Sequence, residues 1–341
     1  MKIIYDDIIY SLQKSGGISA YWNYLENYIS VNNRFLYRNC SENIFYHSRN
    51  NSIHKDRNVL IERYQNVRVE EPEPFVFHSS YYRYCKNNNA INVTTIHDFT
   101  YELFRKDLLS NLHKWQKKNA ILHSDGVICI SQNTLSDFRK MYPNYNGKST
   151  VIYHGYDKST FNFTDSQRNN NVIFVGSRAA YKGFNLSVQL INGLKDLFLV
   201  IVGGGDLTKD EIKMLNEHIP NRYCKLSFIS NLELAELYNK SFALFYPSSY
   251  EGFGFPVIES QACGCPVICQ EKSSIPEISG GKCIYIDPTN VEESITRIKQ
   301  LQEKTFYKEL QHDALENVKR FSWDKTISNT ISFYEHVYNN K

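Results

Sequence analysis

Two glutamates, Glu251 and Glu259, stand eight positions apart in the stretch Ser249-Tyr250-Glu251-Gly252-Phe253-Gly254-Phe255-Pro256-Val257-Ile258-Glu259. An ionised carboxylate only accepts hydrogen bonds, so two of them at the ends of one turn suit two separate clusters of hydroxyl groups. Between them lie the backbone N–H groups of Gly252, Phe253, Gly254 and Phe255. Glu259 begins a helical pattern through Ser260-Gln261-Ala262, and a helix N-terminus favours negative charge. The segment is therefore suited to a sugar joined to a phosphate.

Other residues carry compatible chemistry. His97-Asp98 ends the run Val93-Thr94-Thr95-Ile96, which places both side chains at the carboxyl end of a strand. Asp98 has the chemistry of a general base or nucleophile. In Phe174-Val175-Gly176-Ser177-Arg178-Ala179-Ala180-Tyr181-Lys182-Gly183, Arg178 offers a planar fork and Lys182 a compact charge, a pair suited to a diphosphate without help from a metal. Ser15-Gly16-Gly17-Ile18-Ser19 leads into a helical pattern over Ala20–Ile29, and paired glycines there let backbone approach a phosphate. Such a turn, and a basic loop after a strand, also occur for structural reasons alone. No G-x-G-x-x-G follows the first strand, and Val202-Gly203-Gly204-Gly205-Asp206 lacks that spacing as well, which argues against a nicotinamide enzyme. Cys263-Gly264-Cys265-Pro266-Val267-Ile268-Cys269 has no matching His/Cys pair, which argues against zinc.

These groups need strands to present them. Short apolar runs predict strands at Lys2–Tyr5, Phe75–His78, Asn92–Ile96, Gly126–Ile130 and Thr150–Tyr153. A second series follows the polar stretch 157–171: Val172–Val175, Phe198–Val202, Leu226–Ile229, Ala243–Tyr246, Pro266–Cys269 and Cys283–Ile286. Runs this apolar, separated by helix-length segments, read as parallel strands covered on both faces. At 341 residues the chain exceeds one ordinary core. The expectation is an α/β protein of two facing doubly wound domains, 1–160 and 161–322, with a tail over 323–341. Ligands of such sheets bind beyond the carboxyl ends of the strands, so the cleft between the domains is the expected site.

Composition narrows the class further. A net charge of +3 is too small to argue for nucleic acid. Eight cysteines with no C-x-x-C imply free thiols. The start Met1-Lys2-Ile3-Ile4-Tyr5-Asp6-Asp7 turns acidic too early for a signal peptide, and no run of 18 apolar residues occurs, so a cytoplasmic protein is expected. Between Leu103 and Leu122, Phe104, Leu108, Leu112, Trp115 and Leu122 recur at helical spacing, with Arg105, Lys106, Lys114, Lys117 and Lys118 on the other faces. The expectation is a stripe packed into the core and a basic side turned to water or resting on anionic lipid at the inner face of the cell membrane.

The Glu251–Glu259 segment, with its glycines, Pro256 and the trailing Ala262, Gly264, Pro266 and Val267, resembles the E-x7-E motif of the family 4 retaining glycosyltransferases, which have the GT-B fold. Ile130-Ser131, Val151-Ile152-Tyr153-His154-Gly155-Tyr156-Asp157 and Phe321-Ser322-Trp323 are further family-like marks. His97-Asp98 is similar to a pair in a mannosyltransferase-rich branch, where the His contacts the donor sugar. In the family Gly-Arg precedes Lys-Gly; here Ser177 is inserted and the Arg-to-Lys interval is shorter. The resemblance implies a metal-independent, cofactor-free enzyme whose co-substrate is a nucleotide-diphospho-sugar, with GDP-mannose favoured. It implies Glu259 on the ribose, Glu251 and His97 on the transferred sugar, and Arg178, Lys182, Gly16 and Gly17 at the diphosphate. It also implies front-face substitution, a lipid-linked or growing surface polysaccharide as acceptor, and a tail that crosses back onto the first domain. Sugar-nucleotide epimerases and phosphorylases share the fold, and a catalytically silent glycan-binding subunit is the reading from another class.

Overall fold

The computed structural model describes residues 1–14, 16–29, 33–37, 42–46, 52–55 and 58–340. Ser15 of the glycine turn and Lys341 of the tail lie outside the described residues. The chain forms two compact units, Met1–Gly155 with Trp323–Lys341, and Tyr156–Ser322.

The first unit holds a parallel sheet of β1 (Lys2–Asp6), β2 (Asn33–Tyr37), β3 (Ser52–Lys55), β4 (Phe75–Ser79), β5 (Ala90–Ile96), β6 (Gly126–Cys129) and β7 (Lys148–Val151). Its order is β3-β2-β1-β4-β5-β6-β7, so the winding reverses between β1 and β4. β4, β5 and β6 are buried along their whole length, which is why they read as largely apolar runs. The sequence did not signal β2 and β3, short strands of mixed composition of which β3 is the edge of the sheet. The helix Trp323–Asn339 packs in this unit against β4, β5 and the helix Gly17–Tyr28. It is fixed there by Tyr334, whose hydroxyl lies 2.5 Å from His78 Nδ1 and 3.2 Å from the Tyr5 hydroxyl. Arg83 bridges Asp6 and Glu62 in the interior at 3.1 and 2.9 Å, so each buried charge has a partner.

The second unit repeats the plan with β8 (Asn171–Val175), β9 (Phe198–Val202), β10 (Tyr223–Leu226), β11 (Ala243–Tyr246), β12 (Val267–Gln270) and β13 (Ile284–Ile286), in the order β10-β9-β8-β11-β12-β13. The strand expected at Leu226–Ile229 lies three residues earlier. Its register on β9 runs from Tyr223 opposite Leu199 to Leu226 opposite Val202, and Phe228 beyond it is 98% exposed. Val172, Phe174, Leu199, Ile201 and Phe245 make the core with the helix Phe184–Gly193. Here the winding reverses between β8 and β11, and the loops after those two strands carry Lys182 and Glu251.

The helix Leu108–Leu122 corrects one expectation. Its buried face is polar, made of Ser110, His113, Gln116 and Lys117 with Ala120 and Ile121. The apolar stripe lies outside instead, with Leu108 86%, Leu109 78% and Trp115 53% exposed. Lys117, expected on the basic surface, is wholly buried: its Nζ donates to the Asp98 carbonyl at 2.8 Å and to Glu102 Oε2 at 2.8 Å. Gln116 Nε2 donates to the Arg63 carbonyl at 2.5 Å. Polar side chains that find partners inside can outcompete apolar ones for the buried face. Among the described residues no helix is long and apolar enough to cross a membrane.

Candidate functional site

In the second unit the loop after β11 is pinned from three sides. Gln270 Nε2 donates to the Pro247 carbonyl at 2.5 Å, and Ser249 N donates to the Tyr181 carbonyl at 2.8 Å. Ser273 Oγ accepts from Glu251 N at 3.0 Å and donates to Glu251 O at 2.6 Å. Ser274 Oγ reaches the carbonyls of Glu251 and Phe253, both at 2.9 Å. Ser273 holds a φ of +57°, a left-handed conformation unusual for serine and of the kind that clusters at functional sites. Gly254, at φ +108°, then turns the chain into the helix Phe255–Ala262, with Pro256 in its first turn and Phe253 packed edge-on against Phe255 and Phe321.

This clamp sets the two acids in different surroundings. Glu251 makes a two-pronged ion pair with Lys182, Nζ lying 2.6 Å from Oε1 and 2.8 Å from Oε2. Tyr246 lies buried nearby; burial first and the Glu251 charge second push its phenol well above the ordinary range. Lys182 ends a short turn, Ala180–Lys182, followed by Gly183 at φ +73°, where any Cβ would stand 2.4 Å from the Pro247 carbonyl. Glu259, half-buried in its helix, has no hydrogen bond or ion pair with any described residue, and loss of solvent around its carboxyl lifts it from 4.5 to about 8. A carboxylate in such a place gains strongly from any hydroxyl that donates to it.

Arg178 is placed otherwise than expected. Its Nε donates to Glu211 Oε1 at 2.8 Å, Nη1 to Gly203 O at 3.2 Å, and Nη2 to Asp206 O at 2.6 Å and Gly205 O at 3.4 Å. The glycine run after β9 is thus a cradle for this guanidinium. One N–H remains, so Arg178 can offer a phosphate a single bond but not a fork unless it gives up a partner.

In the first unit His97 follows β5 and packs against Tyr21 and His154, with ring centres 5.5 and 5.9 Å away. Burial lowers its pKa to about 4, so the ring is neutral at pH 7 and can both donate and accept. Asp98 Oδ1 accepts from Thr100 N at 2.9 Å, as a turn-capping acid does, while its carbonyl holds Lys117. Gly16 caps the helix Gly17–Tyr28 without a side-chain bond. The structure therefore pairs Lys182 with Glu251, sets His97 against Tyr21 and His154, and turns Arg178 toward the Gly203–Asp206 run. Sequence reasoning missed Ser273, Ser274, Tyr246 and Glu211. Ser273-Ser274-Ile275-Pro276 is a helix-start signal, but nothing in it points to Glu251. Among the described residues no group of three or more His, Cys, Asp or Glu could hold a metal ion, and the described cysteines are free thiols.

Residues 155–321 match the family model of glycosyl transferases group 1, and residues 47–160 match that of glycosyltransferase family 4. O-antigen chain mannosyltransferase B of Escherichia coli is 34% identical over 111 residues, 32% of this chain and 29% of that protein. O-antigen chain mannosyltransferase RfbU of Salmonella typhimurium is 24% identical over 213 residues, 61% of this chain and 60% of that protein. The matches thus span less than two thirds of these relatives. Among solved structures, Anabaena HepE in complex with UDP and glucose aligns with a TM-score of 0.73 at 15% identity, covering 97% of this chain and 98% of that one. Sucrose-phosphate synthase of Thermosynechococcus elongatus aligns with a TM-score of 0.65 at 20% identity over 78% of this chain and 74% of that one. Two parallel α/β units and these matches define a GT-B glycosyltransferase. The chain belongs to family 4 of that class.

Proposed function

We propose that the chain is a retaining, metal-independent hexosyltransferase that takes its sugar from a nucleotide-diphospho-sugar, GDP-mannose for preference, and passes it to a lipid-linked or growing surface polysaccharide. The observation that carries this reading is the contrast between the two acids: Glu259 is half-buried and has no hydrogen bond or ion pair with a described residue, while Glu251 is held ready by Lys182 at the winding reversal of the second sheet. In this reading Glu259 accepts from the ribose hydroxyls. Lys182 leaves Glu251 for the diphosphate as the donor binds, and Glu251, still held by the Ser273–Ser274 clamp, accepts from the transferred sugar. Within the second unit the N-terminus of the helix Phe255–Ala262 is left for the diphosphate and Arg178 adds at most one bond.

Transfer then proceeds on one face of the sugar. The bond from C1 to the diphosphate oxygen breaks, the acceptor oxygen bonds to C1 from the same side, and the acceptor proton passes to the departing oxygen. Catalysis under this scheme rests on charge and position. The O-antigen mannosyltransferase relatives support the choice of sugar and acceptor class. The exposed Leu108, Leu109 and Trp115, flanked by Arg105 and Lys106, support peripheral contact with an anionic membrane. A thermal-shift screen of GDP, UDP, dTDP and ADP in excess chelator tests the donor half. One of them should stabilise the protein without a divalent ion; stabilisation that vanished in chelator would refute the metal-free scheme.

A further inference from the structure

A row of polar side chains crosses the buried face of the first sheet. β1, β4 and β5 are neighbours, with Tyr5 opposite His78 and His78 opposite Val93, so Thr95, two positions beyond Val93, lies on the same face. The Tyr334 hydroxyl enters this row from the helix Trp323–Asn339, 3.2 Å from the Tyr5 hydroxyl and 2.5 Å from His78 Nδ1. His78 Nε2 lies 3.0 Å from Thr95 Oγ1, which lies 3.3 Å from the hydroxyl of Tyr21 in the helix Gly17–Tyr28. Tyr5, Tyr21, His78, Thr95 and Tyr334 are all buried. Burial also lowers the His78 pKa to about 3, so at pH 7 the ring is neutral and carries one N–H. The side chains of Thr95 and Tyr21 make no other hydrogen bond with a described residue. One pattern then gives every buried proton from Tyr21 to Tyr334 an acceptor: Tyr21 donates to Thr95, Thr95 to His78 Nε2, His78 Nδ1–H to Tyr334, and Tyr334 to Tyr5. A proton on Nε2 instead would leave that of Tyr21 or Thr95 with none.

We infer that Tyr334 is a positioning residue for His97 and acts on it through His78, Thr95 and Tyr21. The inference rests on the transferase reading above, with His97 as a site residue. The His97 side chain makes no hydrogen bond with a described residue, so packing against other rings sets its orientation. Tyr21 stands edge-on to it with ring centres 5.5 Å apart and lies 4.6 Å from His154, which stacks on His97 at 5.9 Å. A phenol anchored at its hydroxyl keeps its ring in one place, and both histidines then rest on a fixed wall. Trp323, first in the same tail helix, meets Tyr21 and His154 at 6.4 and 5.8 Å. It stands eleven positions before Tyr334, about 16 Å of helix. The tail therefore grips the histidine pair from two points. Stability alone gives no reason for the polar row, because apolar side chains of the same shape could fill it at little cost, whereas a completed chain of hydrogen bonds holds each member in one orientation.

The test is NMR of the intact chain at neutral pH with histidine labelled at both ring nitrogens, His97 being assigned by the loss of its signals in His97→Asn. In the wild type His78 should carry its proton on Nδ1. Tyr334→Phe and Thr95→Val each remove one hydroxyl from the row and should shift the His97 ring signals. Val337→Ala, a truncation of a buried residue of the same helix away from the row, should lower the melting temperature and leave those signals in place. Hydrolysis of the nucleotide sugar whose diphosphate stabilises the protein best needs no acceptor but water. In that assay Tyr334→Phe should lower kcat about three- to tenfold with KM within twofold, the loss of one hydrogen bond felt in turnover alone. A His78 proton on Nε2, His97 signals unmoved by Tyr334→Phe and Thr95→Val, equal movement in Val337→Ala, or an unchanged kcat in Tyr334→Phe would each overturn the inference. Stabilisation by nucleotide diphosphate, unchanged in all these variants, shows that they fold and leaves the transferase reading standing in those cases. If no nucleotide diphosphate stabilises the wild type, that reading fails while the NMR result still decides whether Tyr334 sets His97.

Discussion

Replacing Glu259 by Gln should make the protein more stable and a poorer nucleotide binder at the same time. Burial carries the Glu259 carboxyl from 4.5 to about 8, so the folded state holds a proton that the unfolded chain has released across that interval. Unfolding is then favoured as pH rises, and the penalty is absent below about pH 4.5 and complete above about pH 8. At about 1.4 kcal/mol per pH unit the full penalty is roughly 5 kcal/mol. Glu259 keeps a partly exposed edge, and solvent there reduces the figure to about 2 kcal/mol. Gln carries no charge and avoids the penalty. Melting curves should therefore show Glu259→Gln above wild type by about 4–8 °C at pH 8.5, and nearly level with it at pH 5. Nucleotide diphosphate affinity should fall about tenfold or more in the variant, and in the wild type it should rise from pH 6 to pH 8, because ribose hydroxyls donate to the ionised carboxylate. A stability gain that was the same at both pH values, or absent at pH 8.5, would refute the reasoning.

Lys182→Ala removes one partner of a mostly buried pair and should lower turnover and nucleotide affinity each by about tenfold or more; activity within twofold of wild type would show that the Lys182–Glu251 pair is only structural. Lys117→Met strands Glu102 and the Asp98 carbonyl, so denaturant unfolding should show a loss of about 3–5 kcal/mol, where a solvated surface lysine would lose almost nothing. Vesicles rich in anionic lipid should co-sediment the protein and blue-shift Trp115 emission. Leu108→Glu should weaken both effects, and an unshifted spectrum in bound protein would exclude insertion of this face.

The central strands were legible because parallel strands buried on both faces have no polar alternation to conceal them, as β4, β8 and β11 illustrate. β2 and β3 were not, since short strands of four or five mixed residues carry neither an apolar run nor a clean period of two. The position of β10 depended on its pairing with β9, which is not written in its own residues. The helix Leu108–Leu122 was legible as a helix and misread in orientation, because its buried face is decided by partners far along the chain: Arg63 for Gln116, and Asp98 and Glu102 for Lys117. Glu251 and Glu259 stood out through their spacing. The ion pair from Lys182 to Glu251 spans 69 positions, and the Ser273–Ser274 clamp reaches back across a strand and a helix. Only the fold at the β8–β11 reversal brings such residues together.

The central claim concerns transfer itself, and NMR of the anomeric centre of the product tests it most directly. The reaction would use the nucleotide sugar whose diphosphate stabilises the protein best, with the cognate glycan or lipid-linked acceptor, in excess chelator. Front-face displacement at the Glu251–Lys182 site predicts a product that keeps the donor's anomeric configuration and forms at an undiminished rate without divalent ions. An inverted anomeric centre would contradict the account.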